Sequence, residues 1–375
     1  MPVLRRIAQD PDLKLHLIVA GMHLSPDFGL TVRIIEKDGF EIGDRVEMLV
    51  ASDSPEAIAE SMGQGTIGYA KSYARLRPDI LLVLGDRFEM HAAVVAALPF
   101  NIPVAHIHGG ELTEGAIDDA LRHSITKMSH LHFVTTEEYG DRVVQMGEEP
   151  WRVVVSGAPS LDNLGSVEFL DSQALESRFG LDLTTPPLLV TYHPVTLEYQ
   201  DSESQVKELL AALDTCGLPI VFTQTNADTG GRVVGDLIQE FVASHPQARM
   251  ADNMGTQGYF SLMTQASAMV GNSSSGIIEA PSFRLPVVNI GARQHGRVRA
   301  ANVIDVGYSR EEVLAGIEKS QDRQFQDSLK DMTNPYFQGD AAEAIATRLL
   351  SVDLDERLIR KSFNNGPANT MAVRA

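Results

Sequence analysis

The stretch Ala268-Met269-Val270-Gly271-Asn272-Ser273-Ser274-Ser275-Gly276-Ile277-Ile278-Glu279 joins an apolar strand to a helix through a turn of small residues. Small residues let the backbone approach a ligand closely. The first turn of a helix presents free N–H groups together with the positive end of its dipole. We interpret Asn272, Ser273, Ser274, Ser275 and Gly276 as a cradle for a diphosphate. The alternative is a plain serine N-cap on an ordinary helix.

Short apolar runs like this one recur along the chain, and helical patterns separate them. They occupy residues 15–20, 80–84, 104–107, 131–134, 153–156, 188–192, 220–223, 268–271, 287–290 and 303–306. Near-continuous runs of Val, Ile and Leu are typical of parallel strands that are covered on both faces. With crossover helices between them, for example at 54–75 and 204–213, the runs predict an α/β fold of doubly wound parallel sheets.

The length of 375 residues predicts two domains. The boundary is expected between Ser160 and Pro187, where a polar helical stretch interrupts the series of strands. We place the domains at residues 1–165 and 166–350. Residues 351–375 are expected to form a C-terminal helix or tail that packs back on the first domain, with a frayed end from residue 364.

The composition excludes several classes of protein. Asp and Glu total 50 against 31 Lys and Arg, and the resulting net charge of −19 repels nucleic acid and anionic lipid. No apolar run approaches the roughly 20 residues that span a bilayer. The single cysteine, Cys216, allows no disulfide within the chain. We expect a cytoplasmic protein that binds neither nucleic acid nor membrane, although a small phosphorylated ligand is compatible with this charge.

Polar side chains follow nearly every predicted strand. Ligands of open parallel sheets bind beyond the carboxyl ends of the strands, so this clustering indicates a functional edge. Asp86 follows the run at 80–84 and is a candidate for proton transfer, because a carboxylate beside apolar walls can exchange protons. The alternative is an ion pair with its neighbour Arg87 that fixes the loop.

The densest polar group lies between residues 106 and 123. Asp118 and Arg122 are four residues apart on a predicted helix, so they share one stripe and can interact, and the same holds for Asp119 and His123. The group offers carboxylates and imidazoles for acid/base chemistry, and its members are His106, His108, Glu111, Asp118, Arg122 and His123. His106 and His108 alternate along a strand and point to opposite faces, which argues against a shared metal ion. For His106, a buried structural histidine is the favoured interpretation.

Two candidates in the second half of the sequence have equally plain alternatives. Glu279 lies about one turn after the serine turn, where it would either accept hydrogen bonds from a ribose diol or simply favour the helix dipole. His193 follows the run at 188–192 and would either contact phosphate or serve a structural role.

A polar turn and a basic cluster complete the set of candidates. Asn226 and Asp228 lie in a turn that would read a sugar or base edge, or would be an ordinary turn. Arg293 and Arg297, with Arg299 beside them, form a local positive cluster in an acidic chain. Such a cluster is suited to neutralising an anion.

Taken in order, these motifs resemble the hydrolysing UDP-N-acetylglucosamine 2-epimerases of sialic acid biosynthesis. The resemblance covers almost the whole chain, and each motif is weak alone, whereas the ordered set is specific. The motifs are Gly85-Asp86-Arg87, His106-Ile107-His108-Gly109-Gly110-Glu111, Ile117-Asp118-Asp119, Arg122-His123-Ser124-Ile125, His193-Pro194-Val195-Thr196, Asn226-Ala227-Asp228-Thr229-Gly230, the serine turn, and Arg293-Gln294 with Gly296-Arg297.

The resemblance implies a GT-B-like fold, in which two Rossmann-like domains hold UDP in the cleft between them, and it implies no metal or other cofactor. The implied reaction eliminates UDP across C1 and C2 to give 2-acetamidoglucal, and water then adds to yield N-acetylmannosamine. Proton transfer is assigned by resemblance to Asp86 and Asp118. UDP contacts are assigned to His193, the 273–276 loop and Glu279. The remaining candidate contacts to the UDP-sugar are Arg87, Arg122, Asn226, Asp228, Asn272, Arg293 and Arg297. A homo-oligomer, dimer or tetramer, is also implied.

Two departures from the family pattern affect these expectations. Some relatives have Glu where His108 stands, so the catalytic role there passes to His108 or to Glu111. The family also opens with an apolar strand and a Gly-Thr-Arg-Ala-type loop, whereas this sequence begins at Met1 inside the following helix. We therefore expect a strand of the first sheet to be missing, and the chain to be less stable and less active than one with that strand restored.

Four alternatives to this function stay open at the level of the sequence. The same chemistry would serve UDP-N,N'-diacetylbacillosamine, and a non-hydrolysing epimerase would keep UDP attached to the sugar. The fold alone also allows a glycosyltransferase. The fourth alternative is a protein that binds UDP without catalysis.

Overall fold

The computed structural model describes residues 1–50, 52, 54–114, 116–224, 231–251 and 254–366. Within these ranges the predicted apolar runs form short parallel strands. Six of the ten predicted runs match the observed bounds, and the other four differ by one or two residues at an end. The strands are β1 (Leu17–Ala20), β2 (Ile42–Val46), β3 (Leu81–Leu84), β4 (Val104–Ile107), β5 (Leu131–Val134), β6 (Val153–Val155), β7 (Leu188–Thr191), β8 (Ile220–Thr223), β9 (Ala248–Ala251), β10 (Ala268–Gly271), β11 (Val287–Ile290) and β12 (Val303–Val306).

Two of these strands, β2 and β9, were not predicted from the sequence. Each lies at an edge, β2 beside β1 and β9 beside β8. An edge strand has a neighbour on one side only, and polar residues are common there because they discourage pairing with other chains. Gly-Asp-Arg within β2 and Arg249 within β9 accordingly interrupt the apolar pattern that marks the central strands.

Helices connect the strands and cover the sheets. The predicted helix at 54–75 is α3, and Ser54 caps it by accepting a hydrogen bond from the N–H group of Ala57. None of the helices in the described ranges is long and apolar enough to cross a membrane. The helices are α1 (Pro2–Gln9), α2 (Val32–Lys37), α3 (Pro55–Leu76), α4 (Phe88–Ala97), α5 (Asp118–Met128), α6 (Glu137–Gln145), α7 (Ser172–Phe179), α8 (Ser202–Thr215), α9 (Gly231–Ser244), α10 (Gly255–Gln265), α11 (Ser275–Ile278), α12 (Arg310–Gln321), α13 (Arg323–Ser328), α14 (Ala341–Ser351) and α15 (Glu356–Ile359).

The second domain contains one six-stranded parallel sheet with the order β12-β11-β10-β7-β8-β9. The chain starts at β7, moves outward through β8 and β9, and returns to β10 before moving the other way. The predicted doubly wound sheet is therefore confirmed, and the turn of direction lies between β7 and β10. In such sheets the crevice at this switch point is the usual ligand site.

The strands of the first domain form two parallel groups. One is the four-stranded sheet β3-β4-β5-β6, and the other is the pair β1-β2. Both groups share one apolar core with α3 and α4, to which Val46 and Val83 contribute from the two groups. The carboxyl ends of β3, β4 and β5 lead into Asp86, His108 and Thr135, which all belong to the candidate site described below.

The end of the chain returns to the first domain. Helix α14 packs against α1, and residues from both helices share an apolar cluster with β4 and β5. Arg152 of the first domain binds the segment that follows α14. Its buried guanidinium donates to the carbonyl oxygens of Arg357, Leu358 and Arg360 at 2.9–3.2 Å. The last described residues thus stabilise the domain in which the chain began.

We predict that Arg152→Gln destabilises the protein by about 2–4 kcal/mol, because several buried carbonyl groups would lose a charged donor. The free energy of unfolding, measured by urea denaturation, checks this value. Arg360→Gln is the matched control, since the Arg360 side chain is 78% exposed and, among the described residues, pairs with Glu356 one turn away. Equal losses of stability in the two variants would contradict the proposed role of Arg152.

Candidate active site

A cleft separates the two domains and contains two cavities. The first has a volume of about 760 Å³ and is lined from the first domain by residues such as Gly21, Phe28 and Val50, and from the second by Arg232 and Gln239. The second cavity, of about 390 Å³, lies beside α10 and α11 and is lined by residues that include Ser160, Tyr259, Ser275 and Glu279. The expected cleft between two domains is therefore present.

Asp86 lies just after β3 and forms an ion pair with Arg122 of α5. The alternative predicted for this residue was an ion pair with Arg87, but the partner is a residue 36 positions away. Arg87 lies 3.4 Å from Glu89 instead. The side chain of Asp86 is 18% exposed, so part of it stays accessible to solvent.

His108 and Glu111 form a hydrogen-bonded pair at the carboxyl end of β4. Nδ1 of His108 lies 2.6 Å from Oε1 of Glu111. His108 has a φ of +68°, an uncommon conformation for a residue with a side chain, and it follows the strand rather than continuing it. Gly110 completes the turn with a φ of +77°, and a side chain there would meet the carbonyl oxygen of Tyr139 at 2.5 Å. The turn therefore places the side chains of His108 and Glu111 within hydrogen-bonding distance of each other.

Glu111 is 1% exposed and is surrounded by groups that favour its charged form. Thr135 donates to Oε1 at 2.9 Å, whereas Arg122 and Arg297 lie 3.5 Å and 2.9 Å from Oε2. Burial alone would raise the pKa of Glu111, but the charges of His108, Arg297 and Arg122 outweigh that effect and hold the pKa well below its usual range. Glu111 is therefore a permanently ionised partner of His108 at neutral pH.

Helix α5 presents the other acidic residues of this group. Asp118 is buried in its first turn, and Asp119 accepts a hydrogen bond from the N–H group of Thr113 at 2.7 Å. The predicted interaction of Asp119 with His123 is confirmed at 3.5 Å. Arg122 forms its ion pairs outside its own helix, with Asp86 and Glu111. Because Asp118 lies one turn before Arg122, helical spacing brings it towards the residue that binds Asp86.

His106 is fully buried and has a structural environment. Its Nε2 lies 2.7 Å from the carbonyl oxygen of Gly85, and its Nδ1 lies 3.3 Å from the hydroxyl of Thr126. Burial lowers the pKa of His106 to about 3, so the ring is neutral at physiological pH. The interpretation of His106 as a buried structural histidine is confirmed.

The serine turn leads into a single helical turn, α11, rather than a long helix. Gly271 begins it with a φ of +134°, where any side chain would lie 1.9 Å from the carbonyl oxygen of Thr191. Ser273 caps the turn by accepting from the N–H group of Ser275 at 3.3 Å. In the described part of the chain, the N–H groups of Ser273 and Ser274 have no acceptor, so they are available to an anion.

The side chain of Asn272 is used within the protein. It accepts from the N–H group of His193 and donates to the carbonyl oxygen of the same residue, both at 2.8 Å. These two bonds join the end of β10 to the end of β7. The carbonyl oxygen of Asn272 accepts in turn from Arg293 and Gln294, so Arg293 lies beside the serine turn. Asn272 thus shapes the loop on which the ligand candidates lie.

Glu279 follows α11 and joins the two domains. Ser160, at the end of the first domain, donates to its carboxylate at 2.5 Å, and Ser275 provides a second hydrogen bond. Burial raises the pKa of Glu279, whereas the two serine hydroxyls and the nearby charge of His108 act in the opposite direction. Glu279 is therefore bound to the first domain through Ser160.

The structure brings together Asp86, His108, Glu111, Arg122 and Arg297, whereas Asn226 and Asp228 lie outside the described residues. Sequence reasoning missed Thr113, Thr135 and Ser160. Thr135 directly follows β5, so the rule of polar residues at strand ends could have found it. Ser160 gave no such signal, because its contact with Glu279 spans 119 residues.

Several known proteins similar to this chain are described as 2-epimerases of nucleotide sugars. A family model described as UDP-N-acetylglucosamine 2-epimerase matches residues 5–350. A hydrolysing GDP/UDP-N,N'-diacetylbacillosamine 2-epimerase of Campylobacter jejuni is 43% identical over 80% of this chain and 78% of its own. A hydrolysing UDP-N,N'-diacetylbacillosamine 2-epimerase of Legionella pneumophila is 35% identical over 96% and 94%.

Solved structures extend this similarity to the fold. The crystal structure of a UDP-GlcNAc 2-epimerase from Neisseria meningitidis bound to UDP-GlcNAc superposes with a TM-score of 0.78, covering 94% of this chain and 95% of that one. The sequence identity is 18%, so this likeness concerns the fold. The expected GT-B-like arrangement of two parallel-sheet domains is confirmed.

We predict that the free energy of unfolding falls as the pH drops below about 6.5. Burial lowers the pKa of His106 to about 3 and that of His130 to about 4, whereas both rings titrate near 6.5 in the unfolded chain. The unfolded state therefore binds more protons in this window, and each ring costs up to about 1.4 kcal/mol per pH unit. Urea denaturation at pH 7.5, 6.5 and 5.5 measures the slope.

His130→Gln should reduce that slope by removing one of the rings that take up a proton on unfolding. His295→Gln serves as the control, because its ring is exposed and has similar surroundings in the folded and unfolded chain. A free energy of unfolding that does not change between pH 6.5 and 5.5 would show that the buried rings are already charged in the folded protein.

Proposed function

Because the chain belongs to the UDP-N-acetylglucosamine 2-epimerase family, we propose that it is a hydrolysing 2-epimerase of a UDP-activated 2-acetamido sugar. In this reaction a base removes the C2 proton, the C1–O bond to the diphosphate breaks, and UDP leaves with the bonding electrons. Water then adds a hydroxyl to C1 and a proton to C2 from the opposite face. The products are free UDP and the C2 epimer of the sugar.

The observation that carries this proposal is the meeting of two kinds of group across the cleft. Proton-transfer candidates come from the first domain, and groups suited to a nucleoside diphosphate come from the second. His108, Glu111 and Arg297 form one connected network, and Glu279 of the second domain accepts a hydrogen bond from Ser160 of the first. An elimination that expels UDP needs both kinds of group at neighbouring positions.

In the first domain we assign proton transfer to Asp86, Asp118 and His108. Arg122 holds Asp86, and Glu111 holds Nδ1 of His108. The Nε2 atom of His108 has no hydrogen-bonding partner among the described residues, and the ring is 12% exposed. We therefore propose that His108 touches substrate through Nε2, and that Glu111 orients the ring rather than exchanging a proton itself.

In the second domain we assign the departing diphosphate to the serine turn. The open N–H groups of Ser273 and Ser274 supply donors, and Arg293 and His193 lie beside the same turn. Donors fixed in position stabilise developing negative charge without reorganising during the reaction. Glu279, beside the 390 Å³ cavity, is proposed to accept hydrogen bonds from the ribose of UDP.

The identity of the sugar separates two substrates within this proposal. The relatives that are 43% and 35% identical are named for N,N'-diacetylbacillosamine, and the family model is named for N-acetylglucosamine. These sugars differ at C4 and C6 and share the 2-acetamido group at which the reaction occurs. We also propose, from the charge and the single cysteine, that the enzyme is cytoplasmic, and from the family resemblance that it is a homo-oligomer.

The test is incubation with each UDP-sugar in deuterated water, followed by analysis of the products by mass spectrometry and NMR. Free UDP with a C2-deuterated, C2-inverted sugar supports the proposal and identifies the substrate. A C2-inverted sugar still attached to UDP would replace it with non-hydrolysing epimerisation. UDP that raises the melting temperature without any turnover would indicate a binding protein.

We predict that Asp86→Asn and Asp118→Asn each lower kcat by at least about 100-fold, because each removes a group that transfers a proton. Asp141→Asn, on the exposed side of α6, is the control and should retain full activity. Circular dichroism and melting temperature verify that each variant is folded. A folded Asp86→Asn or Asp118→Asn enzyme with full activity would remove that residue from the mechanism.

A further inference from the structure

Arg297 belongs to the second domain but contacts the first. It lies in the loop after β11, and each nitrogen of its guanidinium reaches a different residue between 111 and 113. Nη1 lies 2.9 Å from Oε2 of Glu111, Nε donates to the carbonyl oxygen of Leu112 at 3.0 Å, and Nη2 donates to the hydroxyl of Thr113 at 3.2 Å. In the sequence analysis, Arg297 was a candidate contact to the UDP-sugar by family resemblance.

The residues on either side of Arg297 are also bound to the first domain. The N–H group of Val298 donates to the hydroxyl of Tyr139 at 2.8 Å, and that hydroxyl lies 2.9 Å from the hydroxyl of Tyr336. A side chain at Gly296 would meet the side chain of Leu112 at 2.6 Å, so the loop packs closely against that residue. The guanidinium of Arg297 is therefore held in place from both sides.

The charges around Glu111 show what this contact contributes. The charged groups that face Glu111 are His108 and Arg122 from the first domain and Arg297 from the second, with the phenols of Tyr139 and Tyr336 nearby. Arg122 is shared with Asp86, and its distance to Glu111 is the longer one, 3.5 Å against 2.9 Å. Arg297 is thus the cation that the second domain supplies to a carboxylate that is almost fully buried, beside His108 and Arg122 of the first.

We propose that Arg297 is a positioning residue, which fixes Glu111 and, through it, the ring of His108. This inference rests on the proposed function, because it assigns His108 to the reacting sugar. It separates Arg297 from Arg293, which lies beside the serine turn and is assigned to the diphosphate. A residue of the second domain would thus orient a side chain of the first.

The proposal gives Arg297→Met a kinetic signature. Misplacement of the His108 ring should lower kcat on the order of 100-fold, whereas KM and the affinity for UDP should change little. Arg297→Lys keeps a positive charge beside Glu111 and should recover part of the lost kcat, again with little change in KM.

The experiment compares Arg297→Met and Arg297→Lys with Arg293→Met, the matched control on the same loop. Calorimetry with UDP should show about tenfold weaker binding for Arg293→Met and near-native binding for Arg297→Met. In a Glu111→Gln background, Arg297→Met should cost little further activity, because the group through which it acts is already neutral. Weak UDP binding by Arg297→Met, unchanged kcat, or additive losses with Glu111→Gln would each overturn the proposal.

Failure of this inference can be told from failure of the proposed function. If the wild-type enzyme turns over none of the UDP-sugars, the proposed function fails by itself. Urea unfolding of the wild type, both single variants and the double variant needs no turnover and measures the coupling between Arg297 and Glu111. Absence of coupling sinks the inference even in an active enzyme. If Arg297→Met does not fold, Arg297→Lys decides the question: a lowered kcat with near-native UDP affinity supports the proposal, and weak UDP binding or an unchanged kcat overturns it.

Discussion

The buried, ionised carboxylate of Glu111 is the feature on which the candidate site depends. A charge in so dry a position is tolerated only when it is paired and hydrogen-bonded. The compensating groups come from β5, from α5 and, through Arg297, from the other domain. Since the same carboxylate binds His108, the electrostatic requirement of one side chain determines where the imidazole points and how the domains meet.

The short parallel strands explain why these groups converge at all. Each strand is only three to five residues long, so every turn that follows a strand lies near the same edge of its sheet. In the first domain this edge carries carboxylates and an imidazole, and in the second it carries open amides, a serine turn and Arg293. The cleft therefore divides the proposed chemistry into two halves, with proton transfer on one side and departure of the diphosphate on the other.

The path of the chain links the two halves mechanically. Ser160 contacts Glu279 where the first domain ends, and Tyr336 contacts Tyr139 shortly before α14 returns to the first domain. The returning segment is then bound by Arg152 and by Lys361, which lies 2.7 Å from the buried carboxylate of Glu148. These contacts between residues distant in sequence hold the two domains together beside the cleft.

The central strands and the residues at their ends could be predicted from the order of residues. Apolar runs marked the central strands, and the expected strand ends carried Asp86, His108 and the serine turn. The burial of His106 also followed from its place within an apolar strand. These features depend on neighbours a few residues apart, so periodicity and composition report them directly. The edge strands β2 and β9 escaped detection because an edge does not require a continuous apolar run.

The pairing of the polar residues depends on how separate elements pack, so it could not be predicted from the sequence. Arg122 binds Asp86 and Glu111 beyond its own helix, Asn272 holds the backbone of His193, and Arg297 crosses to Glu111 rather than lining the serine turn. Each of these pairs joins residues that are 11 to 186 positions apart. Spacing along one helix or strand carries no information about partners brought together by the packing of separate elements. The physical reason is that a buried charge selects its partner by proximity in space, which the packed domains set and the order of residues alone does not.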